Sequence, residues 1–210
     1  MRLAELFYSI QGEGTRAGLP CAFVRFTGCD LRCTWCDTAY AFHGGVERSR
    51  ADLLAELERL PTRLVCLTGG EPLLQAELPV LCRDLLARGW EVTVETHGQR
   101  PTGALPPEVV RILDVKPPGS GEETRDFAYL AGLRPHDEVK FVVASEADFR
   151  WSAEVVRRHR LEGRAALLFS PVAGQVSARA LTEWLLASGL RARLSLQLHK
   201  VVWGPDARGV

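Results

Sequence analysis

Short apolar, β-prone runs recur along the chain at 21–27, 64–68, 91–95, 112–115, 138–143, 165–169 and 194–198, and each predicts a strand. Between them the apolar positions fall at helical spacing. Ser49-Arg-Ala-Asp52 opens the periodic run Leu53, Leu54, Leu57, Leu60 as a capping box, and Pro61 stops it, which predicts a helix. Ser145-Glu-Ala-Asp148 opens a second helix to about Arg160, Glu77 to Arg88 closes at Gly89, and Ser177 to Ala187 closes at Gly189. The segments Pro101 to Pro107 and Pro117 to Gly121 predict loops. No internal repeat is visible. Strand and helix therefore alternate, as in βα units that build a parallel sheet.

Composition narrows the reading. With 46% hydrophobic and 25% charged residues, 210 residues can bury one sizeable core, and no Ser- or Pro-rich linker divides them. A single domain over 1–210 is expected. Lys+Arg and Asp+Glu both number 26, so the chain lacks the basic excess of a nucleic-acid binder. No stretch approaches the roughly 20 apolar residues that span a bilayer. The expected partner is a small molecule. No secretory apolar segment follows Met1, and the six cysteines do not suggest a disulfide framework in a chain of this length; a reducing cytoplasm is the expected compartment. The lysines are only Lys116, Lys140 and Lys200, and their positions near predicted strand ends invite a functional reading.

In a parallel α/β architecture, ligands sit where loops leave the carboxyl ends of strands. Six loops with unusual residues fall there: the cysteine loop after 21–27, Gly69-Gly70-Glu71-Pro72, Thr96-His97-Gly98, Lys116-Pro-Pro, Ser170-Pro171 and His199-Lys200. The first holds Cys29-x-x-x-Cys33-x-x-Cys36. Three thiolates leave one iron of a four-iron cube open to bind another molecule, whereas four would suggest electron storage or structure. A structural zinc site needs a fourth ligand, for which only Cys21, His43, Cys66 and Cys82 stand in reserve. Cys66 and Cys82 lie in apolar runs and read as core residues.

The cysteine triplet, with Trp35 before its last cysteine and Gly69-Gly70-Glu71-Pro72 after the next strand, resembles the radical S-adenosylmethionine (SAM) superfamily. That resemblance implies a partial, open (βα)6-type barrel. A narrower match lies in Glu5-Leu-Phe-Tyr-Ser-Ile-Gln11-Gly-Glu13-Gly14, Gly18-Leu-Pro20, Arg25, Gly28-Cys29, Trp35-Cys36-Asp37-Thr38, Glu95-Thr96-His97-Gly98, Lys140-Phe-Val-Val and Gln197-Leu-His199-Lys200. Together these are similar to the 7-carboxy-7-deazaguanine synthase family. Its members rearrange 6-carboxy-5,6,7,8-tetrahydropterin to 7-carboxy-7-deazaguanine with loss of ammonia, using a 4Fe-4S cluster, SAM and Mg2+.

The resemblance implies roles residue by residue. Cys29, Cys33 and Cys36 hold the cluster. Trp35, Asp37, Gly69, Gly70, Glu71, Gly98, Lys140, Ser170, Pro171 and Val172 surround SAM, with Glu71 suited to its ammonium. Thr38 gives magnesium an oxygen. Ile10, Gln11, Gly12, Glu13, Arg25, Thr96 and the terminal carboxylate of Val210 meet the substrate, Arg25 as a two-pronged clamp on its carboxylate. The C-terminal tail closes on the site. His199, at the end of a strand, and Lys116 are candidates for catalysis or support, and His97 receives no role. An external one-electron donor such as a flavodoxin or ferredoxin and a homodimer are also implied. A different radical enzyme, such as an activase of a glycyl-radical protein, and a non-enzymatic zinc module remain as alternatives.

Overall fold

The computed structural model describes residues 1–204 and 207–210. Nine strands form one sheet in the order β3-β1-β2-β4-β5-β6-β7-β8-β9, comprising β1 (Arg2–Ile10), β2 (Pro20–Phe26), β3 (Val46–Glu47), β4 (Leu64–Gly69), β5 (Glu91–Thr96), β6 (Val110–Asp114), β7 (Glu138–Val143), β8 (Ala166–Pro171) and β9 (Arg193–Leu194). From β2 to β9 every neighbouring pair is parallel. The first and last strands of the row do not meet, so the barrel is open, as expected.

Helices α1 (Arg50–Leu57), α2 (Leu78–Ala87), α3 (Glu146–Arg158) and α4 (Ala178–Ser188) follow the expected pattern, and α5 (Leu198–Trp203) ends it. Ser49, Ser145 and Ser177 each cap a helix by accepting the N–H of the residue three positions on. Helix α1 stops three residues short of Leu60, where the chain tightens into turns.

Two differences from the sequence reading matter for the site. The opening segment is a long strand, β1, antiparallel to β2, so the sheet is mixed rather than purely parallel. The run 194–198 is not a strand either. Only Arg193–Leu194 pair with β8, because the N–H of Leu198 is taken by the carbonyl of Gly12 at 2.9 Å. There the chain leaves the sheet edge and enters α5, which carries His199.

Successive strand residues face opposite sides, and the two sides are chemically distinct. Outward, Ala22, Val24, Val65, Leu67, Val92 and Val94 pack on α1 and α2 in one cluster, while Val139, Phe141, Leu167 and Phe169 pack on α3 and α4 in another. Inward come Arg25, Thr68, Glu95, Asp114 and Lys140, which line the barrel interior.

No helix joins β5 to β6; residues 97–109 make the crossing without one. A buried ion pair secures it. Arg111, 4% exposed, donates from Nη1 to Thr102 at 3.0 Å and from Nη2 to the Gly132 carbonyl at 2.5 Å, and its guanidinium pairs with the fully buried Asp137. Asp137 also accepts the backbone N–H of Arg111 at 3.0 Å and of Arg134 at 2.8 Å. Asp137→Ala strands a buried guanidinium and is expected to cost about 3–5 kcal/mol, read as a lower urea midpoint at unchanged slope.

Candidate active site

A cavity of about 460 Å³ occupies the barrel interior and opens toward the carboxyl ends of the strands. All three cysteines of the triplet line it, and so do Trp35, Asp37 and Thr38. The other cysteines, Cys21, Cys66 and Cys82, are buried in the core. Among the described residues no three His, Cys, Asp or Glu side chains gather closely enough to hold a single metal ion.

The cysteine loop is braced from several sides. The N–H of Gly28 donates to the Ala41 carbonyl at 2.8 Å, the N–H of Glu71 to the Gly28 carbonyl at 2.6 Å, and the N–H of Thr34 to the Ser120 carbonyl at 2.9 Å. Gly70 packs so closely that a Cβ there would overlap the Gly28 carbonyl and stand 3.0 Å from the Cys29 Cβ. Gly69 adopts φ +146° against the backbone of Phe26, a conformation that favours glycine. The Gly-Gly pair thus exists to bring its turn against the loop. Burial pushes the Cys33 thiol up to about 11, against the opposing pull of Lys116.

These residues fit an iron–sulfur cube. Three half-buried thiols of one loop share one cavity wall, and no fourth cysteine lines it, the donor set that leaves one iron open.

Glu71 differs from the expectation. It is fully buried and absent from the cavity lining. Its carboxylate accepts the N–H of Leu73 at 2.9 Å, the Thr96 hydroxyl at 2.8 Å and the N–H of His97 at 3.1 Å. It organises the loops rather than facing a ligand, and it commits the hydroxyl of Thr96 as well. Gly98 packs against the ring of Tyr129 outside the lining, and Ser170 and Pro171 also stand outside it, whereas Val172 is part of it.

Ile10, Gln11, Gly12, Glu13, Arg25, Thr96, Lys116, Lys140, His199 and Val210 all line the cavity. Lys140, 6% exposed at its side chain, pairs with Glu95, with Glu13 at 3.2 Å and with Asp114 at 3.9 Å. Burial acts to lower its pKa, but those carboxylates outweigh it and hold the ammonium well above its ordinary value. Lys116 pairs with Asp114 at 2.8 Å, and Lys200 with Asp37 at 2.9 Å. All three lysines of the chain therefore meet in this one space. Burial holds His199 below its ordinary value, and its ring covers Gly12 so closely that no Cβ would fit there.

Several lining residues received no role from the sequence. Glu5 accepts from Arg25 Nε and from the Tyr40 hydroxyl, both at 2.7 Å, which fixes the guanidinium. Glu95, Gln197 and Lys200 stood inside quoted motifs without an assignment. Asp114 was hidden in an apolar run, although a charge there was a usable signal. Tyr40, stacked under the Arg208 guanidinium at 4.3 Å, had none.

The radical SAM superfamily matches residues 23–115. Over its full length the chain is 42% identical to the 7-carboxy-7-deazaguanine synthase of Koribacter versatilis, all of which is covered. Against that of Chlorobaculum tepidum it is 41% identical, covering 100% of this chain and 97% of the other. The chain belongs to the 7-carboxy-7-deazaguanine synthase family of radical SAM enzymes. The crystal structure of QueE from Escherichia coli superposes with a TM-score of 0.76 at 25% identity, covering 93% of each chain.

Gly70→Ala is expected to displace the cysteine loop. After anaerobic reconstitution its iron content should fall well below that of the parent, with far-ultraviolet circular dichroism preserved, because the nearest atoms it would meet belong to Gly28 and Cys29 of the loop. Parental iron content would contradict the packing role.

Proposed function

We propose that this chain converts 6-carboxy-5,6,7,8-tetrahydropterin to 7-carboxy-7-deazaguanine with loss of ammonia, in the supply of 7-deazapurines such as queuosine. The observation that carries the proposal is the meeting, in one cavity, of the three-cysteine loop with Gln11, Glu13 and a fixed Arg25.

Cys29, Cys33 and Cys36 would hold a 4Fe-4S cluster. When bound, the cluster and SAM supply one-electron cleavage of a sulfonium and a carbon radical that removes hydrogen from the substrate. The chain's own residues bind, orient and shield. Arg25 is held through Nε by Glu5 at 2.7 Å, which leaves its terminal nitrogens for the two oxygens of a substrate carboxylate. Glu13, held by Lys140 at 3.2 Å and by Gln197 at 2.7 Å, is a rigid acceptor for the donor-rich edge of a pterin, with Gln11 beside it. Phe7 and Phe23, stacked with ring centroids 4.8 Å apart, give the cavity an apolar wall that excludes water from a reactive centre.

Thr38, whose Oγ1 stands 3.6 Å from Cys36 Sγ at the cavity wall, would give Mg2+ one oxygen. A hard cation that retains its waters needs few protein donors. The last described residues bring Arg208 onto Tyr40 and Val210 to the cavity, which supports a tail that closes on the substrate as part of a single domain over 1–210. Val201, Val202 and Trp203 of α5 are exposed apolar residues suited to a second copy in a homodimer. The electron would come from an external flavodoxin or ferredoxin in a reducing cytoplasm. No helix of the described residues is long and apolar enough to cross a membrane.

The test is an anaerobic assay with the pterin acid, SAM, Mg2+ and a strong reductant, following deazapurine absorbance. The parent is expected to form product and Cys33→Ala none. Product from Cys33→Ala at the parental rate would overturn the cluster assignment. Arg25→Met, which removes a charged donor pair, is expected to raise KM for the pterin acid by about ten- to a hundredfold; an unchanged KM would remove Arg25 from the carboxylate site.

A further inference from the structure

The cysteine loop is gripped on one side at Asp30, the residue after Cys29. His97 Nε2 lies 3.0 Å from Asp30 Oδ1, and Arg100 Nε donates to Asp30 Oδ2 at 3.0 Å. The N–H of Gln99 donates to His97 Nδ1 at 3.1 Å, so Nδ1 is the acceptor and Nε2 carries the hydrogen. Nε2 faces two carboxylates, Asp30 Oδ1 at 3.0 Å and Glu71 Oε2 at 3.1 Å, and its hydrogen bond is made to Asp30. The backbone N–H of His97 donates to Glu71 at 3.1 Å. An unbroken chain of contacts thus runs from the Gly-Gly-Glu-Pro turn through Glu71 and His97 to Asp30 and Cys29.

The His97 ring, 5% exposed, is buried against Glu71, but the outer part of this arrangement adds little to global stability. The Asp30 side chain is 39% exposed and that of Arg100 37%, and solvent-exposed pairs of this kind contribute little to folding. Its remaining effect is on position. The opposite side of the loop is tied separately, by Thr34 to Gly119 at 3.1 Å and by the N–H of Arg32 to Glu122 at 2.7 Å. Loss of the histidine bond would therefore leave that opposite side tied and act on the Cys29 side alone, where Arg100 is the other side-chain hold on Asp30.

We propose that the His97–Asp30 hydrogen bond is a latch that sets where Cys29, and with it one corner of the cluster, stands relative to the turn at Gly70. His97 acts through Asp30 and is a positioning residue. The inference rests on the reading of Cys29, Cys33 and Cys36 as cluster ligands.

The experiment compares the parent with Asp30→Ala, Asp30→Asn, His97→Phe and His97→Gln. About four irons per parent chain after reconstitution, lost in Cys33→Ala, establish the ligand reading on its own. The latch is then read from iron release to a chelator and from the change that SAM makes in the electron paramagnetic resonance spectrum of the reduced cluster. Asp30→Ala and His97→Phe are expected to release iron about ten- to a hundredfold faster and to lose the SAM-dependent change. Asp30→Asn keeps an acceptor oxygen and His97→Gln keeps an N–H donor, so both should stay near the parent.

Parental behaviour of Asp30→Ala and His97→Phe would overturn the latch. Equal defects in Asp30→Asn and Asp30→Ala would also overturn it, by assigning the effect to charge beside the cluster. If His97→Phe unfolds, the exposed Asp30 variants decide the matter. Hydrogen exchange over residues 29–37 of the metal-free proteins gives an independent reading. It should be faster in Asp30→Ala and unchanged in Asp30→Asn, and equal protection in all would defeat the proposal.

Discussion

One ammonium group, Lys140 Nζ, keeps carboxylates from three parts of the chain in the same water-poor space: Glu13 from the loop after β1, Glu95 from β5 and Asp114 from β6. At low effective dielectric these anions would repel one another strongly without a cation between them. The parallel ladder prepares the meeting, because it sets Lys140 directly beside Asp114 and Thr68 beside Arg25 on the inward face. Lys116 completes the neutralisation by pairing with Asp114. A cavity walled by matched charges can present acceptors and donors to a polar ligand and still remain folded when empty.

The open sheet creates a second requirement, since β3 and β9 are free edges that cannot bond to each other. The connection between β1 and β2 spans that gap. Gly12 accepts from Leu198, Glu13 from Gln197, and the N–H of Gly14 reaches Ser195 Oγ at 3.3 Å. Thr15 and Arg16 hold the buried carboxylate of Glu138 at the start of β7. Residues from opposite ends of the chain therefore form one unit across the barrel. The closeness of Gly12 to the His199 ring is part of that unit, and explains why a glycine stands between two candidate substrate contacts.

Local signals were legible and non-local ones were not. Serine caps and the contiguous cysteine triplet announce themselves, since each depends on neighbours a few residues away. Strand β1 did not, because a register shift between Leu3 and Glu5 breaks the alternation by which a strand is read. Residues 194–198 alternate well enough for a strand, and contacts with Gly12, Glu13 and Gly14, far away in sequence, divert them. Glu71 shows the same limit in the site. A carboxylate after two glycines suits an ammonium, but its direction is set by Thr96 and His97 at the end of another strand, and these turn it inward.

Burial gives the cysteine loop its own logic. Burial raises the Cys29 thiol and pushes Cys33 up to about 11, so at those two sulfurs iron must displace protons to bind. Charge attraction cannot then gather the loop around incoming metal. Its shape has to be present beforehand, in backbone bonds that do not depend on the sulfurs. The contacts of Gly28 with Ala41, of Glu71 with Gly28 and of Thr34 with Ser120 are of that kind, and each comes from a different segment. A loop shaped by its surroundings keeps its open face toward the cavity, where Arg25 and Glu13 are already fixed by partners of their own.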